Sequence, residues 1–423
     1  MKGISPYGHR KRRPPGDVTG VLLVEEGGVG GVADYTAELA AALARAGWRV
    51  DVATARDHGY PPALGVTLHA RFPYVRGRSA LGRAIRRARL SKAVNGITHL
   101  VANMGLLRLA RTADVVHVQG GEWPPLGALQ ALLVRALGRP LVWTPHNTFD
   151  RGARAYARSR ALTDRWAARL VIHTEHDRAA LPAATAAKAV VIPHGEYGGL
   201  ARRGAPDADP QAARAQLGAG EDELVVLLFG QLRADKGVRD LLLAAAQVPE
   251  IRAVLAGEDK GALAEVADLR ADARLAGRLV VREGFVPAQE AGRLFAAADV
   301  AALPYHRASA SGVLLLACGY ARPAVAYPVG GLPEYVVDGE TGWLCARADP
   351  DALAEQLRAI VTGGRAACRS RGTAARRLAD ERFSWDAIAR RTAELYEDAS
   401  GRRIPPRAAY DSLVSRDARP KDI

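Results

Sequence analysis

The chain has 423 residues, 48% of them apolar, and a formal net charge of +14. That length allows two or three domains, and the apolar residues are too dispersed to span a membrane, since runs such as 126–137 are broken by Gly, Gln and Arg. Cys318, Cys345 and Cys368 lack metal-ligating spacing and read as reduced thiols in the cytosol.

In chain order, residues 1–17 form a basic tail that reads as disordered, with no apolar signal core behind it. Strand-type runs follow at 20–24, 49–54, 66–70, 115–118, 141–144, 170–174 and 189–192. Between the first two lies a helical pattern at 33–46, with Tyr35, Leu39, Ala42 and Leu43 on one face. Residues 198–210 are rich in Gly, Ala, Pro and Asp and read as a linker. A second series of strands is expected at 224–229, 253–256, 279–283, 300–304 and 324–326. Short apolar runs alternating with amphipathic helices predict an α/β protein with two parallel-sheet domains of similar size. We place them at 18–200 and 201–382, with a helix at 383–400 and a disordered tail at 401–423.

The strongest chemical signal is F-G-Q-L-R-A-D-K-G, residues 229–237, between the strand at 224–229 and a helix at 238–247. A glycine turn leaving a strand lets the backbone approach a ligand. Arg233 and Lys236, at the start of a helix, can aim two cations at one spot. Together these describe a grip for a pyrophosphate. A second constellation is the cluster 27–31, whose amides and helix N-terminus suit an anion or a sugar. Gly28, Gly30 and Ala33 match the dinucleotide fingerprint, but Glu25 and Glu26 would repel a pyrophosphate, which argues against NAD. His117, His146 and His194 fall at strand ends, where ligands of open α/β sheets bind. No H-E-x-x-H or H-x-H spacing calls for a metal. Ser309, Ser311 and Gly312 precede an apolar helix at 313–318, and small residues there let a helix N-terminus approach a phosphate or sugar. Ser311 as a plain N-cap explains that serine equally well.

These motifs, in their order, resemble the retaining glycosyltransferases of family 4. The resemblance runs from about Val18 to about Glu397. It rests on the glycine loop, W-T-P-H-N (143–147), P-H-G (193–195), the grip at 229–237, G-G-L-P-E-Y-V-V-D-G-E-T-G (330–342) and F-S-W-D (383–386). It implies a GT-B fold: two Rossmann-like domains facing a cleft, with a last helix crossing back to the first. It implies a hexosyl-type transfer, with retention, from a nucleotide-diphosphate sugar to a hydroxyl acceptor, without metal or other cofactor. Arg233, Lys236 and His146 would be catalytic. Gly230, Gln231, Ser309, Ser311, Gly312, Val313 and Glu334 would bind the donor. Gly30, Gly31, His117, Asn147 and His194 would bind the acceptor.

The chain departs from the family at one point. Many members carry a pair of glutamates around the small-residue turn. Aligned on 322–326, those positions fall on Ala308 and Leu316. The Ser-Gly-Val turn resembles a subgroup that lacks both glutamates. The loss leaves open a non-catalytic GT-B protein that binds a sugar nucleotide or glycan beside an active transferase.

The interval from Asp57 to Asp114 holds no acidic residue between its ends but many basic ones, among them Arg71, Arg83, Arg87, Lys92, Arg108 and Arg111. Within it, 79–94 could lie on an anionic membrane, which would place a cytoplasmic enzyme at the inner membrane face. Few aromatics interleave with these arginines, so no nucleic-acid role is expected.

Overall fold

The computed structural model describes residues 19–72, 91–120, 124–146, 154–204 and 208–401. The chain forms two compact units. One comprises residues up to Ile172, Arg178–Ile192 and everything from Trp385 on; the other comprises His173–Asp177 and Pro193–Ser384. Both tails and residues 79–90 lie outside the described residues, as does Asn147.

The first unit is a seven-stranded sheet in the order β3-β2-β1-β4-β5-β6-β7. Its strands are β1 (Gly20–Val24), β2 (Arg49–Ala55), β3 (Val66–Phe72), β4 (Val115–Gln119), β5 (Leu141–Thr144), β6 (Arg169–Ile172) and β7 (Ala189–Val191). All neighbours pair parallel. In β1, Val21 and Leu23 pack into one apolar cluster while Leu22 and Val24 pack into another. Successive strand residues point to opposite faces, so both faces of this sheet are covered, and its central strands read as continuous apolar runs. The helix Gly31–Arg45 covers one face through Tyr35, Leu39 and Leu43. The final helix, Trp385–Ser400, packs beside it with Trp385, Ile388, Leu395 and Tyr396 buried. Each such burial stabilises by roughly 1.5–3 kcal/mol. Tyr35 meets Trp385 edge to face, and Trp48 meets Tyr396 likewise.

The second unit is a six-stranded parallel sheet in the order β10-β9-β8-β11-β12-β13. Its strands are β8 (Leu224–Phe229), β9 (Ile251–Gly257), β10 (Leu279–Glu283), β11 (Val300–Leu303), β12 (Ala324–Ala326) and β13 (Gly342–Leu344). Leu224, Val226 and Leu228 face one core, and Val225 and Leu227 the other. The helix Pro350–Arg382 breaks at Gly364, whose φ of 69° is non-helical, and feeds both cores. Every strand read from the sequence is present.

Two elements differ from the sequence reading. β13 was not foreseen, because its three residues stand inside a glycine-rich turn stretch and only pairing with β12 extends them. The stretch taken as a linker begins with a helix, Gly198–Gly204. Its glycines serve close packing: a Cβ at Gly204 would strike the Tyr320 hydroxyl and the Ala288 carbonyl. Asp209 then caps a further helix, Pro210–Gln216, accepting from the Gln211 and Ala212 amides.

The β8 and β9 exits come together through Gly257. Its φ is 149°, and a Cβ there would fall on the Gly230 carbonyl. Gly261 also has a positive φ, 103°, but open space around it. Gly257→Ala is therefore expected to cost about 2–4 kcal/mol and Gly261→Ala about 1 kcal/mol. Urea denaturation of the two variants measures the difference; equal costs would show that the close approach at Gly257 carries no strain.

Candidate functional site

In the second unit, the turn after β8 is fastened on both sides. Gly230, with φ 104°, donates its amide to Ala256 at 2.9 Å. The Leu232 amide bonds the Glu258 carbonyl, and the Lys260 amide bonds the Leu232 carbonyl, tying the turn to the β9 exit. The His306 amide bonds the Asp235 carbonyl at 3.0 Å, tying it to the β11 exit. Gly237 follows with φ 66°, and a Cβ there would fall on the Pro304 carbonyl. Only glycine meets both demands at that position.

This fastening places the two cations. Arg233 donates Nε and Nη2 to the two oxygens of Asp235, each at 2.8 Å. Burial alone would raise the Asp235 pKa, but Arg233, with help from Lys236, holds it below the ordinary carboxylate range. Lys236 lies with Nζ 3.6 Å from the centroid of the buried Tyr305 ring. A cation on an aromatic face is held without losing its charge. Burial pushes the Tyr305 phenol up to about 12, and Ser311 hydrogen-bonds it.

The small-residue turn comes to the same place. Ser311 caps the helix Gly312–Gly319 through the Leu314 amide. Val313 stands 3.3 Å from where a Gly230 Cβ would be, so the turn after β8 and this helix start adjoin. Gly230, Arg233, Lys236, Ser311, Gly312 and Val313 are thus brought together, with Gln231 exposed at the rim. Ser309 is buried and donates to the Asp177 carboxylate. Glu334 gives its two oxygens to the backbone amides of Glu175 and His176, at 2.9 and 2.8 Å. Ala308 and Leu316 are both buried. A hollow of about 400 Å³ lies nearby, lined by Asp235, Arg239, Asp240, Glu265 and His306, but neither Arg233 nor Lys236 lines it.

In the first unit, Gly30 and Gly31 stand exposed at the start of the first helix, with open space where their Cβ atoms would be. The amides of Gly27 and Gly28 are already taken by the Glu25 carboxylate, at 2.7 and 2.8 Å. Thr54 and Tyr60 also donate to Glu25. The acid read as a repellent of anions therefore shapes this loop from within. Burial raises its pKa, against those four hydrogen bonds. His146 adopts a φ of 56°, rare for a non-glycine residue, and packs edge to face on Tyr35. Its Nε2 is 2.9 Å from Gln119 Oε1, so it carries the proton there. His117 is fully buried, bonded to Tyr396 and Thr144, with Gln119 beside it. A hydrogen-bonded row thus runs from Tyr396 on the last helix through His117 and Gln119 to His146.

His194 does not join these two histidines; it belongs to the second unit. There it packs on His173, donates its amide to Tyr335 Oη and bonds the Gly195 carbonyl through Nδ1. Tyr335 in turn donates to the His173 carbonyl. The sequence reading passed over Tyr305, Tyr335, Asp177 and Asp235. The residues P-Y-H after β11 were the one available signal, an aromatic at a strand exit opposite the two cations.

Comparison with known proteins decides the family. Residues 209–378 match the model for glycosyl transferases group 1, and residues 29–195 match that for glycosyltransferase family 4. A D-inositol 3-phosphate glycosyltransferase of Segniliparus rotundus is 30% identical over 401 residues, covering 86% of this chain and 83% of the relative. The chain belongs to the family 4 retaining glycosyltransferases. A relative of the same name from Mycolicibacterium paratuberculosis is 40% identical over 188 residues, but that match spans only 41% of the relative's length. Among solved structures, Anabaena Alr3699/HepE in complex with UDP-glucose superposes with a TM-score of 0.68 at 20% identity, over 90% of this chain and 99% of that one. The catalytic domain of Arabidopsis thaliana Starch Synthase IV bound to ADP and acarbose gives 0.70 at 16% identity, over 91% and 100%. The fold is GT-B, as the family implies. Among the described residues, no helix is long and apolar enough to cross a membrane.

His194 offers a test of the second unit's interior. Burial, with His173 beside it, lowers its pKa from 6.5 to about 3. The unfolded chain takes up this proton near pH 6.5, but the folded chain does not until about pH 3. Stability from this group is therefore present above pH 6.5 and lost as the pH falls toward 3. His194→Asn, which keeps a donor for the Gly195 carbonyl, is expected to flatten the fall in melting temperature across that window. An unchanged slope would show that His194 is not held neutral.

Proposed function

We propose that the chain transfers a hexosyl group from a nucleotide-diphosphate sugar to a hydroxyl acceptor with retention of configuration. The observation that carries this reading is the pair of cations in the fastened turn after β8, beside the N-terminus of the helix Gly312–Gly319. Arg233 and Lys236 hold the pyrophosphate, and Gly230, Gly312 and Val313 let the donor come close to the backbone. The bond between the anomeric carbon and the β-phosphate oxygen breaks on the face where the acceptor oxygen attacks. The acceptor proton passes to the departing phosphate, whose growing charge the two cations neutralise. No protein nucleophile, metal or other cofactor is part of this reading. Asp235 keeps Arg233 aligned until the phosphate shares it.

Gly30, Gly31 and His146 form the acceptor side, with His117 setting Gln119 and Gln119 setting His146. The D-inositol 3-phosphate named for the curated relatives is one candidate acceptor, alongside glycan and lipid-linked alcohols. Contact with an anionic membrane through 79–94 suits a lipid-linked acceptor. Alanine and leucine at the expected glutamate positions favour one second reading, a non-catalytic partner that binds the donor only.

The test is saturation-transfer NMR against UDP-, GDP-, ADP- and TDP-sugars, followed by turnover with hydroxyl acceptors. Selective binding of one donor is expected, weakened roughly 10- to 100-fold in Arg233→Ala and in Lys236→Ala, since each charge-assisted bond contributes about 1.5–3 kcal/mol. Undiminished binding in both variants would remove the grip assignment. Binding without turnover of any acceptor would favour the partner reading.

A further inference from the structure

The β11 exit and the turn after β8 face each other residue by residue. The Pro304 carbonyl lies where a Gly237 Cβ would be, and the His306 amide donates to the Asp235 carbonyl at 3.0 Å. The residues between these two contacts, Tyr305 and Lys236, are therefore held opposite each other, with Nζ 3.6 Å from the ring centroid. Tyr305 is 2% exposed and packs in the same apolar cluster as Leu303 and Leu314, which fixes the ring. Burial pushes its phenol up to about 12, so it stays protonated and attracts the ammonium through the ring face, not as an anion.

The two cations of the turn are thus held in different ways. Arg233 pairs with both oxygens of Asp235. A guanidinium has five donors, so a phosphate can join it without displacing that carboxylate. Lys236 is different. Once it donates to a phosphate, the anion offsets the charge that attracts the ring, and the negative ring face repels the anion. We propose that the Tyr305 ring and the diphosphate compete for Lys236, and that the ring, by taking the lysine back, hastens departure of the spent nucleoside diphosphate. A charge-assisted bond to phosphate is the stronger of the two, so the ligand prevails while bound. The ring lowers its net affinity, because a ligand gains only the difference between the two states of the lysine. Product release sets the turnover of many enzymes, and this seat acts on that step. The inference rests on the reading of the turn as the pyrophosphate grip.

The test keeps the ring and changes its charge distribution. Tyr305→Phe is made in the full chain, together with its difluoro- and trifluorophenylalanine counterparts, in which fluorine draws electrons from the ring face at nearly constant volume. Calorimetry measures binding of the nucleoside diphosphate that the wild type selects among UDP, GDP, ADP and TDP, and a stopped-flow chase measures its dissociation. Affinity is expected to rise at each step, by about three- to tenfold from Tyr305→Phe to the trifluoro form, with dissociation slowed to match. In a Lys236→Met background, itself weaker in binding, the series is expected to be flat, since the ring acts through the lysine. A flat series with Lys236 in place, beside weakened binding in Lys236→Met, would overturn the proposal and leave the grip standing. A falling series would overturn it too, showing that the ring readies Lys236 for the bound state. A rise that persists in Lys236→Met would trace the effect to packing and overturn it likewise. Undiminished binding in Lys236→Met, or a wild type that binds none of the four, would remove the grip reading and this inference together.

Discussion

Two cations in a single short turn repel each other, and the carboxyl end of the second sheet is arranged around that repulsion. Arg233 is balanced by both oxygens of Asp235, and Lys236 rests on the face of Tyr305. Both need the turn to be rigid, which explains why it is bonded to the β9 exit on one side and the β11 exit on the other. They also need backbones closer than any side chain permits, at Gly237 over Pro304 and at Gly257 over Gly230. A dianionic ligand entering such a site meets charges already in place, so little reorganisation is left for the reacting complex.

The first unit solves a different problem with buried polar groups. Glu25 sits at the exit of β1, almost wholly buried, and is satisfied by two glycine amides, a threonine and a tyrosine. A satisfied buried network specifies one geometry, here that of the loop carrying Gly30 and Gly31. The second network ties the last helix to His146 through Tyr396, His117 and Gln119. Fixing His146 at a positive φ costs backbone energy, and such strain persists where the surroundings impose it.

The parallel sheets were legible because strands buried on both faces leave apolar runs, as in L-V-V-L-L before the grip and G-V-L-L-V at β1. The turn after β8 was legible because its glycines and cations are contiguous. The excursion at His173–Asp177 was not. Its letters, H-T-E-H-D, carry no periodicity, and their partners Ser309, Gly331, Glu334 and Tyr335 are distant in sequence. Glu334, which the resemblance implies as a donor ligand, gives both carboxylate oxygens to the Glu175 and His176 amides of that excursion. His194 was grouped with the other histidines by its place after a strand, yet the chain changes unit at Pro193. The helix Gly198–Gly204 was hidden by composition, since glycines that signal flexibility in a sequence can equally signal contact with Tyr320 and Arg376.

The central claim is that the turn after β8 is the pyrophosphate grip. A crystal structure with the selected sugar nucleotide bound tests it most directly. The result expected is a diphosphate within hydrogen-bonding distance of both Arg233 and Lys236, with Lys236 lifted from the Tyr305 ring toward it. A diphosphate bound elsewhere, with Lys236 still resting on Tyr305, would contradict it.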